Sequence, residues 1–251
     1  MGKIVAVVNQ KGGVGKTTTA VNLTAALTEA GKKVLLCDFD PQANATSGLG
    51  LDKRHLRHNV YEVVIGEASV ENTICHTKFG DVLPSSPNLA GAAVELLYTE
   101  GREHQLKNVI GAVQEKYDLI FIDCPPSLEM LTLNALCAAD SILVPVQCEY
   151  YALEGLSDLL STVRIVKRGL NPNLVLDGVL LTMFDGRTNF STQVAQEVRR
   201  HFPGKVFANV IPRNIRLAEA PSHGLPVTVY DRSSRGSVAY KAMAEEIKAK
   251  L

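Results

Sequence analysis

The stretch Ile4-Val5-Ala6-Val7-Val8-Asn9-Gln10-Lys11-Gly12-Gly13-Val14-Gly15-Lys16-Thr17-Thr18 passes from a short apolar run into a glycine-rich loop, and helix-forming sequence follows from Ala20 to Ala30. Strand, glycine loop and helix in that order make a phosphate cradle. Glycines let the backbone approach an anion and turn successive N–H groups toward it, and the start of the next helix adds partial positive charge. Lys16 stands where a P-loop lysine reaches the β- and γ-phosphates, and Thr17 carries the hydroxyl that a Mg²⁺ ion needs. The usual G-x-x-x-x-G-K-[ST] spacing would put glycine at position 10, where this chain has Gln10. The match is instead to K-G-G-x-G-K-T, a deviant form with a second lysine, Lys11.

Outward from the loop, short apolar runs alternate with helical patterns. The runs fall at 3–8, 33–38, 81–83, 118–123, 141–146, 174–182 and 206–211. Helical patterns fall at 17–30, 90–98, 103–116, 128–138, 153–167, 193–201 and 237–250. Leu119-Ile120-Phe121-Ile122 and Ile142-Leu143-Val144 are continuously apolar, as strands covered on both faces must be. The alternation predicts an α/β fold: a single-domain, doubly wound, mostly parallel sheet with helices on both faces, spanning 1–251. Ligands in such sheets bind at the carboxyl ends of the strands, where the glycine loop falls.

The length of 251 residues, with 46% hydrophobic and 21% charged, suits a chain with an ample core. No run approaches a membrane span, and no basic-then-apolar leader precedes the first strand, so a cytoplasmic protein is expected. The five cysteines (37, 75, 124, 137 and 148) show no C-x-x-C pair and no metal-type spacing with histidine, which predicts reduced thiols. Net charge is zero but uneven: residues 1–150 carry 12 Lys and Arg against 17 Asp and Glu, residues 151–251 carry 14 against 9. A basic back half is compatible with a nucleic-acid surface and equally with chance asymmetry.

Two further strands end in acids. Val34-Leu35-Leu36-Cys37-Asp38-Phe39-Asp40 closes on paired aspartates, and Leu119-Ile120-Phe121-Ile122-Asp123 on one. Phosphoryl transfer needs metal, positive charge and an oriented nucleophile more than covalent help. Carboxylates at neighbouring strand ends can supply a metal site and a group to orient water. Asp38 is a further candidate for the metal.

These motifs, with Asp38-Phe39-Asp40-Pro41-Gln42-Ala43-Asn44-Ala45-Thr46-Ser47-Gly48-Leu49-Gly50, Asp123-Cys124-Pro125-Pro126-Ser127, the segment 146–156 and Ile211-Pro212-Arg213-Asn214, resemble the ParA-type partition ATPases, nearest the short chromosomal Soj-like branch. The first motif alone would also admit MinD, nitrogenase iron protein and arsenite-pump ATPases. The resemblance implies ATP and Mg²⁺ as cofactors, held by Lys11, Gly12, Gly13, Val14, Gly15, Lys16, Thr17 and Thr18. It implies that Lys11 reaches the phosphates of a partner in an ATP-dependent homodimer, and that Gly12 must lack a side chain where that partner comes close. It also implies that Asp40 orients the attacking water, that Asp123 lies in the outer shell of the metal, and that Pro212 and Asn214 flank adenine. Arg187 and Arg216 match positions used for contacts to the DNA backbone. The implied function is partitioning of a chromosome or plasmid. An ATP dimer would bind double-stranded DNA without sequence preference on the nucleoid, and a ParB-type centromere-binding protein would stimulate hydrolysis.

Phe39 and Ala43 depart from the small aliphatic residue and the glycine frequent in this family, without removing a functional group. No N-terminal helix-turn-helix domain is expected before the first strand. A MinD-like membrane-positioning ATPase would need a basic amphipathic C-terminal helix. The last pattern instead has an apolar stripe of Tyr240, Met243, Ala244, Ile247 and Leu251 with both charge signs opposite, which fits core packing. An iron–sulfur carrier, a binding module that keeps its ATP, and a regulator of replication initiation or sporulation are the other readings.

Overall fold

A computed structural model describes residues 1–149 and 152–250. Tyr150 and Tyr151 of the 146–156 segment, and Leu251 of the final stripe, lie outside the described residues. The strands are β1 (Lys3–Val7), β2 (Val34–Asp38), β3 (Cys75–Thr77), β4 (Gly80–Leu83), β5 (Leu119–Asp123), β6 (Ser141–Gln147) and β7 (Val175–Thr182). The helices are α1 (Lys16–Glu29), α2 (Asn44–Gly48), α3 (Val60–Val64), α4 (Val70–Thr73), α5 (Leu89–Glu95), α6 (Gln105–Gly111), α7 (Met130–Ala138), α8 (Ala152–Gly169), α9 (Asn189–His201), α10 (Arg216–Glu219), α11 (Val227–Tyr230) and α12 (Arg235–Lys248). They surround one sheet of order β3-β4-β2-β5-β1-β6-β7, parallel throughout except for β3.

Strand alternation sorts the apolar runs onto two cores. From β1, β2 and β5, residues Ile4, Ala6, Leu35, Cys37, Ile120 and Ile122 face one, while Val5, Val7, Val34, Leu36, Leu119 and Phe121 face the other. Both faces are buried under helices, so the runs have no polar alternation. Phe121 is fully buried, and its truncation to alanine should destabilise the fold by about 3–5 kcal/mol. Four cysteines are buried, Cys75 is partly exposed, and all five are free thiols.

Three expectations are corrected. Residues 206–211 do not form a strand; they make only isolated bridges, Val179 to Val206 and, just beyond, Phe184 to Pro212. The reason is a tertiary contact. The N–H groups of Ala208 and Asn209 donate to the Glu246 carboxylate of α12 at 2.9 and 3.1 Å, which turns them away from β7. The single helix expected at 103–116 is instead α6 flanked by one-turn 3₁₀ segments at Arg102–His104 and Gln114–Lys116. The helix expected at 193–201 begins earlier, at Asn189, because the Thr188 side chain accepts from Ser191 N–H and caps it.

Candidate functional site

Register places the acids. Asp123 pairs with Val7 on one side and Asp38 on the other, so the ends of β1, β2 and β5 are level and the glycine loop leaves β1 beside Asp123, with Asp38 one strand further on. Gly13 and Gly15 lie at φ +74° and +91°, left-handed values where a side chain would strain the loop. Gly15 also precedes α1 as its N-cap and contributes no capping side chain, so the first N–H groups of α1 stay available to an anion. The loop is fastened from β7, whose Thr182 hydroxyl donates to the Val14 carbonyl at 2.8 Å. Asn9 ties it to β6 by donating to the Pro145 carbonyl at 2.8 Å, and it accepts from Lys11 N–H at 3.0 Å.

Lys16 is only 6% exposed, and its ammonium donates to the Lys11 carbonyl at 3.1 Å. Burial pulls its pKa down, and the nearby Asp123, Cys124 and Asp40 pull it back up. Asp123 is fully buried and neither carboxylate oxygen has a well-formed hydrogen bond, although Thr17 lies near enough to favour its charged form. Burial raises its pKa well above the usual carboxylate range, and the charge of Asp38 adds to the rise. A buried carboxylate with both oxygens open beside a threonine hydroxyl is short of positive charge, and so these residues fit a hydrated Mg²⁺.

Asp38 is used differently from a metal ligand. Its oxygens accept from the N–H and hydroxyl of Thr46 and from Asp40 N–H, which commits it to the loop between β2 and α2. Burial raises its pKa to about 6. Asp40 is 7% exposed and accepts from Gln42 N–H at 2.9 Å. Lys11 extends from the loop to Glu149 just past β6, Nζ to Oε2 at 3.2 Å.

A cavity of about 530 Å³ opens beside Gly15 and Thr18 and is walled by Ile211, Pro212, Asn214, Leu217 and Tyr240. It joins Pro212 and Asn214 to the phosphate loop across 197 residues of separation from Gly15 to Pro212. Thr182 and Met183 also stand on its wall, and neither they nor Tyr240, expected only in the core, is marked as a site residue by any spacing in the sequence. Neither Arg187 nor Arg216 lines this cavity, although Arg216 sits between Ile215 and Leu217 of its wall, and both are already paired: Arg187 with Asp185 at 2.7 Å, Arg216 with Glu219 at 2.7 Å and Asp231 at 3.2 Å. Among the described residues no helix is long and apolar enough to cross a membrane.

A family model described as an AAA domain matches residues 2–176. The chain is 56% identical over 251 residues to the sporulation initiation inhibitor protein Soj of Bacillus subtilis, covering 99% of each. It is 50% identical over 252 residues to the chromosome-partitioning ATPase Soj of Treponema pallidum, covering 100% of this chain and 98% of that one. Among solved structures, cobyrinic acid a,c-diamide synthase of Mycobacterium smegmatis with bound ADP and magnesium superposes with a TM-score of 0.87 at 39% identity, covering 99% of this chain and 94% of that one.

Proposed function

The chain belongs to the Soj/ParA family of chromosome-partitioning ATPases, and from that premise we propose how its residues divide the work. ATP and Mg²⁺ are the cofactors. Residues 1–251 act as one ATPase domain. The N–H groups of Gly13, Val14, Gly15 and Thr18 cradle the phosphates, and the Lys16 ammonium leaves the Lys11 carbonyl for the β- and γ-phosphate oxygens. Thr17 and Asp123 hold the metal, Asp123 through water. When bound, that metal neutralises charge developing on the phosphates. Asp40 orients the attacking water, and Pro212 and Asn214 hold the adenine. Lys11 exchanges Glu149 for the phosphates of a second copy of the chain, across an interface that needs Gly12 bare. One observation carries this reading: Asp123, buried with both oxygens open, between the ends of β1 and β2 and beside Lys16 and Thr17.

The ATP dimer binds double-stranded DNA through phosphate contacts from Arg187 and Arg216, without base readout. A ParB-type centromere-binding partner speeds hydrolysis and release, with the protein on the nucleoid in its ATP state. Dimerisation itself gates the DNA: two weak surfaces joined become one bivalent site with a raised effective concentration. The Mycobacterium smegmatis protein bears the name of another activity on the same fold, and fold alone does not choose between activities. Identities of 56% and 50% to Soj proteins against 39% to the synthase choose here.

The test is DNA binding by the purified chain with no nucleotide, ADP, ATP and a non-hydrolysable ATP analogue. Tight binding to unrelated sequences only with the last two is expected. Equal affinity in all four states would refute nucleotide gating.

A further inference from the structure

The loop that carries Asp40 is closed by hydrogen bonds that the phosphate site itself does not use. Asp38 Oδ2 accepts from both the N–H and the hydroxyl of Thr46, each at 2.7 Å and eight residues away, and Asp38 Oδ1 accepts from Asp40 N–H at 3.3 Å. From the end of neighbouring β4, Ser85 N–H donates to Thr46 Oγ1 at 2.9 Å and the Ser85 hydroxyl donates to the Asp40 carbonyl at 2.9 Å. Asp38, Thr46 and Ser85 are 0% exposed.

The Thr46 hydroxyl therefore does two things at once. It donates to the end of β2 and accepts from the end of β4, joining two strands across the mouth of the loop. Asp40 is held on both sides of its Cα, at its N–H by Asp38 and at its C=O by the Ser85 hydroxyl and by Ala43 N–H, each at 2.9 Å. Its backbone has one place to be, and its carboxylate leaves from a fixed root. Bonds to a buried carboxylate are among the stronger ones a protein makes, and a buried donor left without its acceptor is costly.

We propose that Thr46, supported by Ser85, is a positioning residue for ATP hydrolysis: its hydroxyl fixes where Asp40 stands relative to the phosphate loop, without touching the nucleotide. The inference rests on the assignment of Asp40 as the group that orients water. Thr46 and Ser85 fall outside every phosphate, metal or base contact assigned above, and their role comes through Asp40 alone. Because small misplacements of a reacting group cost up to about 100-fold in rate, loss of the hydroxyl should act on kcat and leave ATP binding largely intact.

The experiment compares steady-state ATP hydrolysis and ATP affinity for the full chain and four variants: Thr46→Val, Thr46→Ser, Ser85→Ala and Asp40→Asn. Thr46→Val keeps the shape and removes the hydroxyl; its kcat should fall about 10- to 100-fold with KM little changed. Thr46→Ser restores the hydroxyl and should restore the rate. Ser85→Ala removes one of the two hydrogen bonds at the Asp40 carbonyl, leaving that from Ala43 N–H, and should give a smaller fall in kcat, again at unchanged KM; it keeps the test open if Thr46→Val does not fold. Wild-type kcat in Thr46→Val or in Ser85→Ala, or equal losses in Thr46→Val and Thr46→Ser, would overturn the positioning role while an inactive Asp40→Asn leaves the reading of Asp40 standing. Wild-type hydrolysis by Asp40→Asn would sink both.

Discussion

Lys16 is 6% exposed and Asp123 fully buried, whereas the side chains of Arg187 and Arg216 are 88% and 46% exposed. At the nucleotide edge the charges are held by strand ends and a fastened loop, and Asp123 has no partner of its own. On the arginine surface each charge has already found carboxylates within a few residues of chain or on an adjoining loop. A buried carboxyl whose pKa is driven up by burial gains most from a cation that restores its charged form, so such a site is committed in advance to its ligand. Exposed pairs contribute little and are screened by salt, so a DNA phosphate can replace a carboxylate beside an arginine without opposing the fold. On the proposed reading, one region is specific because its charges are fixed for one ligand, and the other is general because its contacts are exchangeable.

The contrast breaks first at Lys16. Lys16→Ala removes the positive charge facing the phosphates, and ATP hydrolysis should fall about 100- to 1,000-fold, with ATP-dependent dimerisation lost by light scattering. A variant that still dimerises on ATP would mean the loop is not the phosphate site.

Asp40 and Lys11 divide the next effect between hydrolysis and assembly. Asp40→Ala should hydrolyse about 100-fold or more slowly while still binding ATP, leaving a long-lived dimer on DNA. Lys11→Ala should bind nucleotide yet assemble poorly. Should both variants dimerise equally well, the contact of Lys11 to a second subunit has to be given up.

On the arginine surface the changes should be milder. Arg187→Glu and Arg216→Glu should each weaken DNA binding to a similar degree on unrelated sequences and lower the salt slope by about one for each DNA phosphate no longer neutralised, with ATP-driven dimerisation intact. Unequal losses on different sequences would argue for base readout, and wild-type slopes in both would place the DNA surface elsewhere.

The smallest effect is expected at Ala43, fully buried at φ +52° between Gln42 and Asn44. Glycine there relieves left-handed strain but gives up a buried methyl and adds freedom to the unfolded chain. Ala43→Gly should change unfolding stability by less than about 1 kcal/mol in chemical denaturation. A larger loss would show that burial of the methyl outweighs the backbone strain.

The phosphate loop was legible in the sequence because its chemistry lives in the backbone, and a backbone turned to φ +74° and +91° demands glycine at Gly13 and Gly15. The parallel strands were legible because burial on both faces leaves unbroken apolar runs. Strand β3 escaped notice, being three residues long at the antiparallel edge with His76 exposed. At residues 206–211 apolar content alone does not reveal that Glu246, some 37 residues on, claims two of their N–H groups. Pro212 and Asn214 entered through resemblance to a family, and Thr46, Ser85 and Thr182 act through tertiary neighbours that no local pattern encodes. Charge counts by halves mislead in a related way, since a sum of signs ignores that Arg187 is already held by Asp185.

The isolated bridges along β7 have a consequence for how the protein survives in a crowded solution. Strand β7 ends the sheet, and its outer backbone is covered by the run from Lys205 to Arg213, through Val179 N–H to Lys205 O at 2.7 Å, Phe207 N–H to Val179 O at 3.0 Å and Ile211 N–H to Leu181 O at 2.8 Å. The far end of that run is the wall of the cavity assigned to adenine. The run that shields an otherwise sticky margin from pairing with other chains thus continues directly into the wall of the proposed adenine cavity.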